Sequence, residues 1–288
     1  RSYSYTSPAG VLSEQLSGVD FYRFLRELVE HFDERAEDLC NKLRDLQKRI
    51  FVADGAIVSF TGSDNDYRTY WDAAGTLGLG ERIDGNVNLQ IPAPVVKNEA
   101  FIIPSDVCFA GKAVDPRRLD LAVDGTWGVA AGALSFDYLW NETRVKGGAY
   151  GAGFQTTRSG SSRFYSYRDP RIDETVERFR TAGDWLAGVF SPTESEMDGY
   201  VVSTVASLDA PAKARELLRR QDGLYFSGAT LADRARVREE VRAARTEDVR
   251  ALAPSVDAIA GAGCVCAFGN GEVIRASGED FNVVDLLA

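Results

Sequence analysis

The sequence predicts an α+β fold, a mostly antiparallel sheet layered with helices and preceded by a helical arm. Three observations carry that expectation. Short strand-like apolar segments are separated by long stretches of helical spacing, a run of helical segments follows, and a strand-like pattern closes the chain. With 288 residues, 44% of them apolar, the chain is long enough to bury a sizeable core.

Gly18 to Ile50 reads as helix, because Phe21, Leu25, Leu28, Phe32, Ala36, Leu39, Leu43 and Leu46 form one apolar stripe with alternating charges opposite. It is expected to be an arm or connector over residues 1–49, with an α/β lobe over 50–288. Asp54-Gly55 predicts a turn and the apolar residues up to Gly62 a strand. Asp64 to Leu79 reads as helix with Tyr67, Tyr70 and Trp71 inward, Gly78 to Ala100 as loop, and Phe101 to Val114 as a second strand. A long helix is expected from about Asp124 to Lys146, ended by Gly147-Gly148. Tyr150–Arg158 and Arg163–Arg168 then form a hairpin around the polar Ser159-Gly-Ser-Ser turn.

Asp169-Pro170 reads as an N-cap followed by a first helical residue, and Ser191-Pro-Thr-Glu194 as a capping box. Further helices are expected over 212–219, 231–245 and 246–258. Gly263 to Arg275 reads as a closing hairpin turning at Gly269-Asn-Gly.

Forty-three acidic against 33 basic residues give a formal charge of −10, which disfavours nucleic acid and anionic membranes and favours cationic partners such as basic peptides. No apolar run approaches the roughly 20 residues that cross a bilayer, and the N-terminal residues lack a signal-peptide core. Cys40, Cys108, Cys264 and Cys266 contain no C-x-x-C pair, so all four are expected to be reduced, in a cytoplasmic compartment. A chain that begins at Arg1 is expected to be a fragment.

His31 has no metal-binding partner at helical spacing and reads as a helix-boundary residue beside the apolar stripe. Gly147, Gly148, Gly151 and Gly153 do not read as a phosphate cradle, since helix, glycines, strand is the reverse of the order that cradle needs. They are assigned to helix termination and close backbone approach. Arg215, Arg219 and Arg220 read as a solvated helix face.

The segment Arg144-Val-Lys-Gly-Gly-Ala-Tyr-Gly151 running on to Ser166-Tyr-Arg-Asp-Pro170 is the most specific in the chain. The stretch Leu139 to Phe179 resembles the C-terminal half of the pitrilysin/insulinase family of zinc peptidases, in its presequence-protease-like branch. The resemblance implies one of four related α/β lobes that close in two halves around a chamber. It also implies that Tyr150 donates to the oxyanion and that Arg144, Gly148 and Ala149 bind substrate. Zinc would be held by a His-x-x-Glu-His motif in an N-terminal half absent from this chain, so the chain alone is expected to bind no metal and to be inactive. Its implied partners are that N-terminal half and unfolded peptide substrates. Arg168 is expected to pair with a carboxylate and has no catalytic role. The alternative is a non-catalytic homologue serving as a peptide- or partner-binding scaffold, and a His-x-x-Glu-His motif elsewhere in the polypeptide would decide for the peptidase.

Overall fold

The computed structural model describes residues 1–53, 56–77, 90–157 and 160–288. The chain divides into two compact units. One comprises Arg1–Val19, Ile91–Asp209 and Ala235–Ala288, the other Asp20–Gln90 and Ala210–Arg234. These cuts fall at Val19 and Ile91 rather than near residue 50, because the first residues are tied into the sheet-bearing unit. There Tyr5 donates to Glu99 Oε2 at 2.6 Å and Arg1 bridges Glu99 and Glu14 at 3.0 and 2.9 Å.

In chain order the elements are α1 (Pro8–Ser17), α2 (Val19–Glu30), α3 (Phe32–Ile50), α4 (Asp64–Ala73), β1 (Glu99–Ile102) and β2 (Cys108–Val114). Next come α5 (Thr126–Ala133), a π-helix (Leu134–Lys146), β3 (Gly151–Thr157), β4 (Ser161–Asp169), α6 (Ile172–Arg180), α7 (Ala182–Gly188) and α8 (Glu194–Leu208). The chain ends with α9 (Ala214–Ser227), α10 (Leu231–Ala243), α11 (Thr246–Ala251), α12 (Ala253–Ala262), β5 (Cys264–Gly269), α13 (Gly271–Ala276) and β6 (Asn282–Asp285).

The fold is α+β. Its strands run in the order β3-β4-β2-β5-β1-β6. The pairings β3–β4, β4–β2 and β2–β5 are antiparallel, while β1 pairs in parallel with both β5 and β6. One face of the sheet contributes Phe154, Phe164 and Val114 to a core that includes Trp127, Leu134, Leu139, Phe179, Leu186 and Ile259. Phe154, Phe164 and Phe179 pack in series, the first pair tilted and the second stacked, with centroids 4.5 and 5.2 Å apart. Each such ring contributes on the order of 1.5–3 kcal/mol by leaving water. Alternation puts Cys264 and Cys266 on the other face with Tyr5, Val19 and Phe101. There they are small buried side chains, and burial first of all pushes the Cys266 thiol up to about 11.

β3 is an outer strand. At its middle, Ser135 Oγ accepts from the Phe154 amide at 3.0 Å and donates to the Phe154 carbonyl at 3.1 Å, so the helix side plugs the strand edge.

Several elements depart from the sequence expectation. The long helical arm breaks at His31, which stands between α2 and α3. No residue of α3 is buried, and Phe32, Leu43 and Leu46 of its stripe are exposed. Residues 56–62 form no strand, since none of their backbone is laddered to another strand. The Asp54-Gly55 turn, residues 78–89 of the expected loop, and Arg158 and Ser159 of the hairpin turn lie outside the described residues. Tyr67 and Trp71 do not point inward. They are half exposed and pack edge-on at 6.1 Å beside Phe60.

Phe101 to Val114 is two strands, β1 and β2, because the Pro104 stretch between them interrupts the ladder and sends β1 to a parallel partner. Asp169 belongs to β4, where its Oδ1 accepts from the Arg171 amide at 2.9 Å, and α6 begins only at Ile172. The capping box of α8 is Thr193 with Glu196 rather than Ser191 with Glu194. The expected closing hairpin is a strand followed by a helix: Asn270 accepts from the Glu272 and Val273 amides at 2.8 and 3.2 Å and caps α13.

Candidate functional site

The site is built where the long helix ends and β3 begins. From α5 onward the helix buries Trp127, Ala130, Leu134 and Leu139, and from Leu134 it continues in the wider π geometry. Gly148, at φ +84°, ends it. In that left-handed conformation its amide reaches the Arg144 carbonyl at 2.9 Å, and the Ala149 amide reaches Thr143 O at 3.1 Å. The chain reverses, and the Tyr150 amide then donates to Arg168 O at 3.3 Å, aligning β3 with the end of β4.

The reversal brings the last helical turn beside the first strand residue. The Arg144 guanidinium stacks on Trp140, one turn earlier, at 3.8 Å and lies 5.7 Å from the Tyr150 ring. Arg168 approaches the same ring at 5.9 Å. Neither guanidinium has a hydrogen-bond or ion-pair partner among the described residues, whereas Arg163, Arg171 and Arg178 nearby are all engaged. The expected carboxylate partner of Arg168 is therefore not formed. Arg168 itself is non-glycine at φ +51°, a conformation costing on the order of 1 kcal/mol.

Tyr150 is 59% exposed and packs 5.4 Å from Tyr167. Gly151 and Gly153 of β3 stand directly opposite Tyr167 and Tyr165 of β4. A Cβ at Gly153 would lie 2.7 Å from the Tyr165 hydroxyl, and one at Gly151 would run into the Tyr167 ring. The glycines thus let two tyrosines lie flat across the neighbouring strand.

Two open grooves flank this ridge. One, of about 690 Å³, is lined by Trp140, Arg144, Gly148, Ala149, Tyr150 and Arg168. The other, of about 480 Å³, runs along β3 and shares Trp140, Arg144 and Tyr150 while adding Tyr165 and Tyr167. All four residues expected from sequence, Arg144, Gly148, Ala149 and Tyr150, meet at the first groove. Ala149 is only 3% exposed, and its amide and that of Gly148 are already committed, so side-chain donors to a ligand come from the arginines and tyrosines. Trp140, Tyr167 and Arg168 were not expected there. The signals for them are the i, i+4 spacing of Trp140 to Arg144 and the glycines paired with alternate tyrosines.

Among the described residues, no group of three His, Cys, Asp or Glu is placed to hold a metal ion. His31 is exposed, with Nδ1 3.1 Å from Glu27 O. The residues present do not fit a zinc site.

The family model of the PreP C-terminal domain matches residues 98–267, which contain the whole ridge. The chain belongs to that family. It is 29% identical over 97% of its length to Protein HypA of Clostridium perfringens, and 28% identical over 94% to presequence protease 1, chloroplastic/mitochondrial, of Arabidopsis thaliana. It spans 28% and 25% of those two proteins, about a quarter of each. Its fold is shared by pitrilysin at a TM-score of 0.50 and 14% identity, over 78% of this chain and 25% of that one. The family is thus the presequence-protease-like branch of the pitrilysin/insulinase peptidases, as the signature around Arg144 and Tyr150 led one to expect.

Proposed function

We propose that this chain is the C-terminal, substrate-binding part of a zinc metalloendopeptidase that degrades short unfolded peptides in a closed chamber, with Tyr150 and Arg144 facing the bond to be cut. The observation that carries the proposal is the exposed Tyr150 beside an Arg144 whose guanidinium has no hydrogen-bond or ion-pair partner among the described residues, on a ridge between two open grooves. Zinc, held by an N-terminal half, would activate water and polarise the peptide carbonyl. Within this chain, the Tyr150 hydroxyl donates to the oxygen that gains charge in the tetrahedral intermediate, an interaction strongest in the transition state. Arg144 offers fixed donors to a substrate carbonyl or carboxylate in ground and transition states alike. Stacking on Trp140 orients that guanidinium without occupying its N–H groups.

The test is steady-state cleavage of one unstructured peptide by the metal-bearing protein. Tyr150→Phe should lower kcat on the order of a hundredfold with KM changed far less. Arg144→Ala should chiefly raise KM. Full turnover by Tyr150→Phe would leave the tyrosine as a packed strand residue and remove the catalytic assignment.

A further inference from the structure

A donor that is left free for a ligand is not held by hydrogen bonds of its own, so its position must come from the backbone that carries it. Arg144 and Tyr150 are in that situation. The Arg144 guanidinium stacks on Trp140 without a hydrogen bond, and the Tyr150 hydroxyl has no hydrogen-bond partner among the described residues. The Tyr150 amide is tied to β4 by a long bond, 3.3 Å to Arg168 O. What fixes both residues is therefore the end of the π-helix that lies between them.

Helix ends leave carbonyls without intrahelical partners, and here two sets of donors satisfy them. The turn takes Thr143 O and Arg144 O, through the Ala149 and Gly148 amides. Arg171, at the N-cap of α6, takes the next ones along. Its Nη2 donates to Lys146 O at 2.9 Å, and Nη2 and Nε both reach Gly147 O at 3.3 Å. A guanidinium can span two carbonyls in this way because its donors are fixed in one plane, which an ammonium group lacks. Its positive charge also complements the negative end of a helix.

The fork is itself held from behind. Arg171 Nη1 pairs with Glu174 Oε1 at 2.6 Å, and Glu174 Oε2 pairs with Arg178 Nη2 at 2.8 Å, one turn further along α6. The other terminal nitrogen of Arg178, Nη1, is buried and has no hydrogen-bond partner among the described residues. It lies against Gly147, where a Cβ would stand 2.6 Å from it and would run into Thr143 O. Gly147 has ordinary helical angles, φ −80° and ψ −23°, so crowding rather than backbone conformation excludes a side chain there. Further back, the Tyr138 hydroxyl donates to Arg178 O at 2.9 Å. Both ends of α6 are thus fastened to the π-helix, and its charged residues converge on the residues that precede the reversal.

We propose that Arg171 is a positioning residue, whose guanidinium fork, braced by Glu174 and Arg178, locks the end of the π-helix and so presents Arg144 and Tyr150 to the bound peptide. Arg171 lines neither groove beside the ridge, so it acts through the backbone and not on a ligand. The role rests on the peptidase reading of the ridge and adds the residue that keeps the ridge in place. The Arg171 and Glu174 side chains are 48% and 38% exposed, and a pair of that kind contributes little to global stability. Its effect falls on where the helix end stands.

The test has two arms. In the 288-residue chain, which needs no zinc for this measurement, Arg171→Gln should speed hydrogen exchange of the Gly148, Ala149 and Tyr150 amides on the order of tenfold while the α12 amides keep their rates. In the metal-bearing protein, Arg171→Gln should lower kcat for an unstructured peptide on the order of tenfold. In a Tyr150→Phe background the same change should have no further effect on kcat, because a residue that acts through the tyrosine hydroxyl has nothing left to place. Should Arg171→Gln fail to fold, Arg171→Lys, which keeps the positive charge but does not span both carbonyls, should show the same effects at reduced size. Unchanged exchange at residues 148–150, faster exchange spread equally over α12, or the same loss of kcat with and without the Tyr150 hydroxyl would overturn the role. Locally faster exchange together with a Tyr150→Phe enzyme of undiminished turnover would remove the catalytic reading and leave the lock on the helix end standing.

Discussion

Glu99 is buried yet charged, and that combination makes its contribution pH-dependent. Burial acts first to raise its pKa, but Lys97, Tyr5 and Arg1 together outweigh it and hold the carboxyl below the ordinary glutamate value. Because the folded state binds this proton less readily than the unfolded chain, the stabilisation is complete above the unfolded value of about 4.3 and is lost as pH falls through the lower folded value. Glu99→Gln should therefore cost about 2 kcal/mol at pH 7, and urea titrations should show the gap to wild type closing below about pH 4. A gap independent of pH would mean that the carboxylate charge is not what ties residues 1–19 to β1. At this scale the meeting of Arg144 and Tyr150 at one groove was legible because a two-part signature surrounds them. The placement of Trp140 and Arg168 beside them was not, since it depends on a reversal at Gly148 that brings distant segments together.

Among the elements, helices were the more legible part. The helical reading of 231–245 lies close to α10, and apolar period marked the α2–α3 stretch as helical, though as one helix without the break at His31, because periodicity survives whatever packs against the stripe. Short strands did not fare as well: β1, β5 and β6 depend on parallel partners far away in sequence, and a short apolar run does not reveal its neighbour. Gly269-Asn-Gly271 shows the same limit, since a hairpin turn and a helix cap favour the same residues. Asn270→Ala should cost about 1 kcal/mol in denaturant unfolding and Asn270→Gly only a few tenths. Equal costs would indicate that the asparagine side chain does not cap α13. The π geometry of Leu134–Lys146 left no trace in the polarity pattern, which is set by burial rather than by which carbonyl each amide selects.

At the scale of the molecule, the apolar stripe on α2 and α3 stands partly in solvent, with Phe32 52% and Leu43 55% exposed. Apolar surface of that extent marks a contact face. The 288-residue chain should therefore bind an apolar-surface dye and self-associate, and Leu43→Glu with Leu46→Glu should suppress both while leaving helix content intact. A monomer without dye binding would show that the stripe is covered by the chain itself. Ser135 has a consequence for how any peptide is gripped. An outer strand normally recruits an extended chain through its free amides and carbonyls, but the hydroxyl of Ser135 already occupies both groups of Phe154 midway along β3. On the proposed reading, a peptide beside Tyr150 would be kept from zipping onto this edge along its whole length and would be held by side chains and single carbonyls. Peptides with a backbone N-methyl group or an internal proline should therefore bind as tightly as their unmodified counterparts in a titration, and the same plug hinders strand addition at this edge.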